Sequence, residues 1–411
     1  MLLITLDTTR ADHLSSYGYA RSTTPTIDAI ARSGVRVEHA FTTMPTTDPA
    51  HLSILTGRYP RTHGTRRNGV PAVSGLDNLA SWATAHGRRT AAFVSRQHVR
   101  PTELGLSGFE HEDGPETAQR DGGITVRRAL SWLEEHGDEP YFLWVHLFDP
   151  HRPYAAPLPY GRRFLPEGTG PVADVQHTRA LTPERAEIFT AQYDGEIAYA
   201  DSLVARLWER VEERAPLVVL TADHGENLDE LWERHRFSYG HGKFLHEGSV
   251  HVPLILWWGS HLPANTRVSQ LVSVVDVPAT IFSLLGESGV ETQGVSFLDA
   301  AGRPDPGREQ VFIERSELQE SYRVRRDLPL RQFSVRDAHH ALIVSLPEDT
   351  MQLYELGSDP LERVDVSATQ PLVRDRLRRA LDAWLERVPD AAAAVMDPSR
   401  IEALRALGYL E

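Results

Sequence analysis

Three short segments carry side chains able to do chemistry together: Asp7 in Leu6-Asp7-Thr8-Thr9-Arg10, Thr47 in Thr46-Thr47-Asp48-Pro49-Ala50-His51, and Asp223-His224 ahead of Gly225. Two carboxylates and an imidazole suit zinc or manganese better than calcium, which prefers an all-oxygen shell. A metal touching a threonine hydroxyl lowers its pKa and gives an alkoxide near neutral pH. Thr47 stands just ahead of Pro49, near the first turn of an expected helix. In that helix Leu52 and Leu55 share a face, and Gly57 supplies the stop. Free backbone N–H groups and the helix dipole would favour an anion there. Each segment also has a plainer reading: Thr47 or Asp7 as a helix cap, Asp223-His224 as an exposed turn. All three plain readings holding together is much harder to sustain than any one.

The elements that must position these residues alternate. Short apolar runs at 2–6, 90–95, 141–148, 217–221 and 252–258 read as strands, with helical patterns at 26–34, 79–85, 124–136 and 186–214 between them. Strands buried on both faces and separated by amphipathic helices imply a mostly parallel sheet sandwiched by helices, an α/β fold. Active sites in such sheets gather at the carboxyl ends of the strands. Asp7, the stretch from His146 to His151, and Asp223-His224 all follow strand patterns directly. The texture changes near Gly302, where a polar, proline-containing stretch at 303–309 reads as a linker. Strand-like segments at 311–313, 332–336, 341–346 and 351–356 then precede a helix at 370–388 carrying Leu372, Leu377, Leu381 and Trp384. We therefore expect a catalytic domain over 1–302 and a small C-terminal unit over 303–411, an antiparallel sheet plus helix.

Composition bounds the function. The 411 residues, 41% hydrophobic and 24% charged, are those of a globular protein. No apolar run approaches the roughly 20 residues of a membrane helix. The absence of cysteine excludes disulfides, thiolate zinc sites and cysteine nucleophiles. A net charge of −14 argues against a nucleic-acid-binding surface but not against a small anionic substrate, because a metal reverses the local field. Without a leader pattern, the expected location is cytoplasmic, unless a leader precedes this sequence. Nothing in the sequence points to an oligomeric state.

The blocks LLITLDTTRADHL, ILTGRYPRTHG, FDPHRPY, LTADHGENL and HVPLILW resemble, in order, those of the sulfatase branch of the alkaline phosphatase superfamily. VDVPATIFSLLG, LYELGSDPLERVDV and LRALGYL are similar to the closing blocks of bacterial sulfatase-like proteins. The resemblance implies an alkaline phosphatase-like fold and a metallohydrolase. One departure matters. Sulfatases carry C-x-P-S-R or S-x-P-S-R, whose first residue is oxidised to formylglycine; here Thr47-Asp48-Pro49-Ala50-His51 stands instead. Threonine is a secondary alcohol and cannot yield that aldehyde. The second acidic residue that sulfatases keep after the first strand is replaced by Thr8.

A threonine nucleophile is similar instead to nucleotide pyrophosphatase/phosphodiesterases and to phosphoethanolamine transferases. Thr47, Pro49, His51, Thr56-Gly57, Tyr59-Pro60, His63-Gly64 and Asn68 match the phosphodiesterase spacing. The likeness implies that Asn68 donates to a non-bridging phosphate oxygen; its other reading is a turn residue in Arg67-Asn68-Gly69. A second metal would draw on Asp149, His151, His241 and His246, with His151 and His246 also open to roles as substrate donor or general acid. Lys243 and Arg152 are either anion-binding groups or solvated charges. His146 reads as a core histidine and His251 as a strand entrance.

The expected protein is a hydrolase of phosphate esters, either diesters or monoesters of phosphonates or phosphates, dependent on one or two divalent ions. Asp7, Thr47, Asp223 and His224 hold the first ion, and Thr47 forms a covalent intermediate. The alternatives are a sulfate-ester hydrolase that does not use formylglycine, and a non-catalytic binding protein on a decayed scaffold.

Overall fold

The structure, a computed structural model, describes residues 1–172, 181–287, 289–315 and 331–391. The block LRALGYL at 404–410 lies outside the described residues. Strands β1 (Leu2–Leu6), β2 (Val35–Phe41), β3 (Arg89–Val94), β4 (His111–Asp113), β5 (Tyr141–Leu147), β6 (Val218–Ala222), β7 (His251–Trp257) and β8 (Thr266–Ser273) form one sheet. Their order is β4-β3-β5-β1-β6-β7-β2-β8. Only β7 runs against its neighbours, β6 and β2; the other pairs are parallel.

β1 shows why the sheet centre forms where it does. Its residues Leu2-Leu3-Ile4-Thr5-Leu6 are all buried. Leu3 joins the apolar cluster on one face, with Leu52, Leu55 and Val252, while Leu2, Ile4 and Leu6 join the other, with Val204 and Leu207. A strand with apolar residues in both pleats is stable only with helices on both faces. The helix Pro183–Val211 covers one face, and the helices Thr47–Thr56 and Asp276–Leu285 cover the other.

The small unit is a four-stranded antiparallel sheet, order β12-β11-β10-β9, of β9 (Val311–Arg315), β10 (Arg331–Arg336), β11 (His340–Leu346) and β12 (Thr350–Glu355). The helix Pro371–Arg387 packs on it through Leu377, Leu381 and Trp384, and Tyr59 and Val275, which cap the starts of the helices Pro60–His63 and Asp276–Leu285, join that cluster. Tyr59 follows the Thr47–Thr56 helix by three residues, so the small sheet braces the element that carries Thr47.

Three strands were not visible in the sequence: β2, β8 and the three-residue β4. β2 reads VRVEHAF, and β8 reads TRVSQLVS. β8 mixes polar residues into the apolar pattern because it lies at the sheet's edge, and β2, one strand in, keeps Arg36 and Glu38 half-buried and His39 exposed.

Candidate active site

Sheet register assembles the first part of the site. The parallel ladder continues one residue past β1, where the Asp7 N–H donates to the Leu147 carbonyl at 2.9 Å. Leu6 lies opposite Ala222 of β6, so the next residues, Asp7 and Asp223, leave adjacent strands side by side. Asp7, Asp223 and His224, all buried, each place one ligand atom within 4.8 Å of the others. Among the described residues this is the group of acidic and histidine side chains gathered so closely.

Its electrostatics suit a cation. Asp7 Oδ1 and Asp223 Oδ2 are buried without a hydrogen-bond partner among the described residues. Burial raises the Asp7 carboxyl to about 6 against the opposing pull of His241, and burial beside Asp7 raises Asp223 well above the usual range. Buried carboxylates lacking donors are costly until a proton or a cation compensates them. The His224 Nδ1–H donates to the Gly225 carbonyl at 2.9 Å, leaving the lone pair on Nε2. Nε2 lies 3.4 Å from Asp223 Oδ2, and burial holds His224 neutral by lowering its pKa far below normal. Donor type, burial and protonation state therefore fit a divalent ion.

Thr47 begins the helix Thr47–Thr56, with Thr46 as an extended N-cap residue that makes no side-chain cap bond. The Thr47 hydroxyl instead stands 3.4 Å from His224 Nε2. One helix turn on, the His51 Nδ1–H donates to the Thr47 carbonyl at 2.9 Å. His51 Nε2 accepts from Thr5 Oγ1 at 3.0 Å, pinning the helix start to β1. Burial lowers His51 to about 3, so it serves as a neutral brace.

Against the expectation of free N–H groups at this helix start, those of Asp48 and Ala50 are already committed. The Asp48 N–H donates to Asn68 Oδ1 at 2.9 Å, Pro49 has no N–H, and the Ala50 N–H donates to Thr46 O at 3.1 Å. Asn68 thus spends its oxygen on the helix, while its NH₂ makes no hydrogen bond to the described residues. Asp48 ties three segments together: besides that bond, its Oδ2 accepts the Gly69 N–H at 2.6 Å, and its Oδ1 meets His98 Nδ1 at 2.5 Å.

The other sequence candidates spread around this centre. His241 packs its ring 4.4 Å from that of His224 and 5.1 Å from that of His151. Its Nδ1 lies 3.2 Å from Glu226 Oε1, and Glu226 Oε2 accepts from Tyr154 OH at 3.2 Å. The His151 Nδ1–H donates to the Arg152 carbonyl at 2.6 Å, and burial lowers its pKa well below normal. Asp149 lies elsewhere: its Oδ1 accepts the Gly122 N–H at 3.0 Å, and burial raises it to about 6. His246 packs against Tyr354 of β12, ring centroids 5.6 Å apart, with no hydrogen bond at either nitrogen. Arg152 donates to Tyr239 O at 2.7 Å, and Lys243 Nζ lies 4.8 Å from the Phe237 ring centre. His251 opens β7, with its ring nitrogens on Glu247 and the Glu38 carbonyl.

Sequence reasoning passed over Asp48, His98 and Glu226, and gave His146 a core role. His146 is indeed buried, and its Nε2 lies 3.3 Å from Asp7 Oδ2. His98 follows the end of β3, the same strand-end signal that singled out Asp7 and Asp223.

Taken together, a largely parallel sheet with an Asp-Asp-His group and a poised hydroxyl at its strand ends defines a hydrolase of the alkaline phosphatase superfamily. The chain belongs to the Sulfatase family, which it matches over residues 1–287. Residues 235–387 also match the family described as N-sulphoglucosamine sulphohydrolase, C-terminal. The multifunctional alkaline phosphatase superfamily protein PehA of Trinickia caryophylli is 23% identical, covering 93% of this chain and 94% of that protein. Human N-sulphoglucosamine sulphohydrolase is 25% identical, over 80% of this chain and 70% of its own length. The phosphonate monoester hydrolase of Agrobacterium radiobacter superposes with a TM-score of 0.76 at 22% identity, covering 93% and 94% of the two chains. No helix among the described residues is long and apolar enough to cross a membrane.

Proposed function

We propose that the chain hydrolyses phosphate esters, either phosphodiesters or phosphonate and phosphate monoesters, with Thr47 as nucleophile. The observation that carries this reading is the Thr47 hydroxyl 3.4 Å from His224 Nε2, beside the unpartnered oxygens of Asp7 and Asp223. Asp7, Asp223, His224 and Thr47 would hold a divalent ion, zinc or manganese. When bound, such an ion lowers the hydroxyl pKa and withdraws charge from the phosphoryl oxygens.

Thr47 Oγ1 attacks phosphorus in line. The hydroxyl releases its proton to solvent, the new P–O bond forms as the bond to the departing ester oxygen breaks, and that oxygen takes up a proton from solvent. Negative charge spreads over the non-bridging oxygens, where the NH₂ of Asn68 donates. Water then attacks the phosphothreonine, the bond to Oγ1 breaks, and the hydroxyl is restored. His151, kept neutral by burial and with its Nδ1–H already committed, has Nε2 to accept that water's proton. An alcohol in place of water would make the same chain a transferase.

For the organic part of the ester, Tyr154 offers one wall of a cavity of about 450 Å³ shared with Leu158, Arg162, Phe189 and Gln192. Tyr154 and His241 share Glu226 as a hydrogen-bond partner.

A second reading, sulfate-ester hydrolysis by direct attack of the same threonine, is supported by the match to the sulphohydrolase C-terminal family. One panel separates the two: kcat/KM for p-nitrophenyl phosphate, its phosphodiester, its phosphonate monoester and its sulfate. The phosphorus esters should exceed the sulfate by at least about tenfold; a sulfate at the top of the series would replace the first reading with the second.

A further inference from the structure

Thr8, next to Asp7, has a φ of 50°, in the left-handed region. A β-branched residue there is a true outlier, and it persists only where its surroundings hold it. Here both its backbone groups are clamped. The Thr8 N–H donates to Asp223 Oδ1 at 3.2 Å across 215 residues of sequence. The Thr8 carbonyl accepts from Tyr193 OH at 2.7 Å, and the Tyr193 oxygen in turn accepts the Arg10 N–H at 3.0 Å.

Asp223 shows what the clamp achieves. Its Oδ1 receives a second N–H, from His224, at 2.8 Å, so that oxygen is saturated. Oδ2 is left buried and without a donor. Among the described residues the Thr8 hydroxyl also finds no hydrogen-bond partner, on a residue with no exposed surface. A buried hydroxyl ordinarily finds a partner easily, since it can rotate and can both donate and accept. Thr8 does not find one, although it follows Asp7 directly and its own N–H bonds Asp223, the two carboxylates with unpartnered oxygens.

We infer that Thr8 belongs to the cation site: its strained N–H fixes Asp223 with Oδ2 forward, and its hydroxyl lends the ion a neutral oxygen, directly or through one water. The inference rests on the reading that Asp7, Asp223 and His224 bind a divalent ion. It adds that the site needs only two carboxylates because a hydroxyl completes it, which keeps the assembled shell close to neutral around a doubly charged ion.

The test is zinc affinity of the metal-stripped full chain, measured by competition with a chromophoric chelator, alongside apo melting temperature. Wild type, Thr8→Ser, Thr8→Val and Thr8→Gly are compared. Ser keeps the hydroxyl, Val keeps the shape without it, and Gly keeps the left-handed backbone without it. We expect Ser to bind within about threefold of wild type, and both Val and Gly to bind about 10- to 100-fold more weakly. If Val fails to fold, Gly carries the comparison. Val or Gly binding zinc as tightly as wild type would overturn the role of Thr8 alone. A wild-type chain that binds neither zinc nor manganese would instead overturn the metal reading, and this inference with it.

Discussion

Thr47 Oγ1 and His224 Nε2 stand 3.4 Å apart although 177 residues separate them in sequence. The first residue of a helix and the second residue after β6 thus form one chemical unit. Thr47→Ala removes the hydroxyl but none of Asp7, Asp223 or His224. It should lower kcat at least about 10³-fold while zinc content and melting temperature stay near wild type. Thr47→Ser keeps a hydroxyl and should retain measurable turnover. Steady-state kinetics with metal analysis of both variants decide this, and wild-type rates in Thr47→Ala would remove Thr47 from the mechanism.

Protonation of the carboxyls makes metal binding depend on pH. Burial raises Asp7 to about 6 and Asp223 well above normal, so both hold protons in mildly acid solution; His224, lowered by burial, is already neutral. An ion must expel the carboxyl protons. Zinc affinity should therefore fall as pH drops below about 6, by up to tenfold per pH unit for each proton expelled. The metal-free protein has the opposite sign. Carboxyls raised on folding stabilise the folded state below their unfolded value, and that contribution is lost as pH rises through about 6. Calorimetric titrations at pH 5, 6 and 7 check the first point, and a flat affinity would contradict it.

Asn68 gives its oxygen to the Asp48 N–H at 2.9 Å, so its two ends have separate duties. Asn68→Asp keeps an oxygen for that bond but places a negative charge where the phosphoryl charge develops. kcat should fall by a factor on the order of 10² to 10³, with melting temperature little changed. Asn68→Ala loses both the amide donor and the helix bond, and should lower kcat and stability together. A fully active Asn68→Asp would return this residue to a purely structural role.

The small sheet is joined to the larger one by buried charge. Arg336 of β10 meets Glu362 at 2.7 Å and Glu247 at 2.6 Å, with no exposed side-chain surface on Arg336 or Glu362. Arg336→Met should cost about 3–5 kcal/mol, because it strands a buried carboxylate. The double change Arg336→Met with Glu362→Gln should recover part of that loss. Urea unfolding of the three proteins measures both terms; a mild single variant would show the pair to be idle.

How far the site was legible follows from how each part is encoded. That Asp7 and Asp223 would come together was readable because a strand buried on both faces is a continuous apolar run, and neighbouring strand ends bring their next residues side by side. The helix that Thr47 opens was readable from Pro49 in its first turn and Gly57 at its stop. The Asp48–His98 contact was not, because it joins residues 50 positions apart and leaves no local pattern. Nor could spacing show that Asn68 would consume a helix N–H, since that depends on how the loop folds back. His246 and His241 looked alike in GHGKFLHEG, yet one packs against β12 and the other against His224, a choice made by tertiary packing.

The covalent role of Thr47 is tested most directly by stereochemistry at phosphorus. Each in-line displacement inverts the configuration, so attack by Thr47 followed by attack by water restores it. The measurement is hydrolysis of one diastereomer of a chiral phosphorothioate diester by the zinc-loaded protein in isotopically labelled water, with the product configuration read by phosphorus NMR. The account predicts net retention. Net inversion would mean that water attacks the ester directly, and that Thr47 never carries the phosphoryl group.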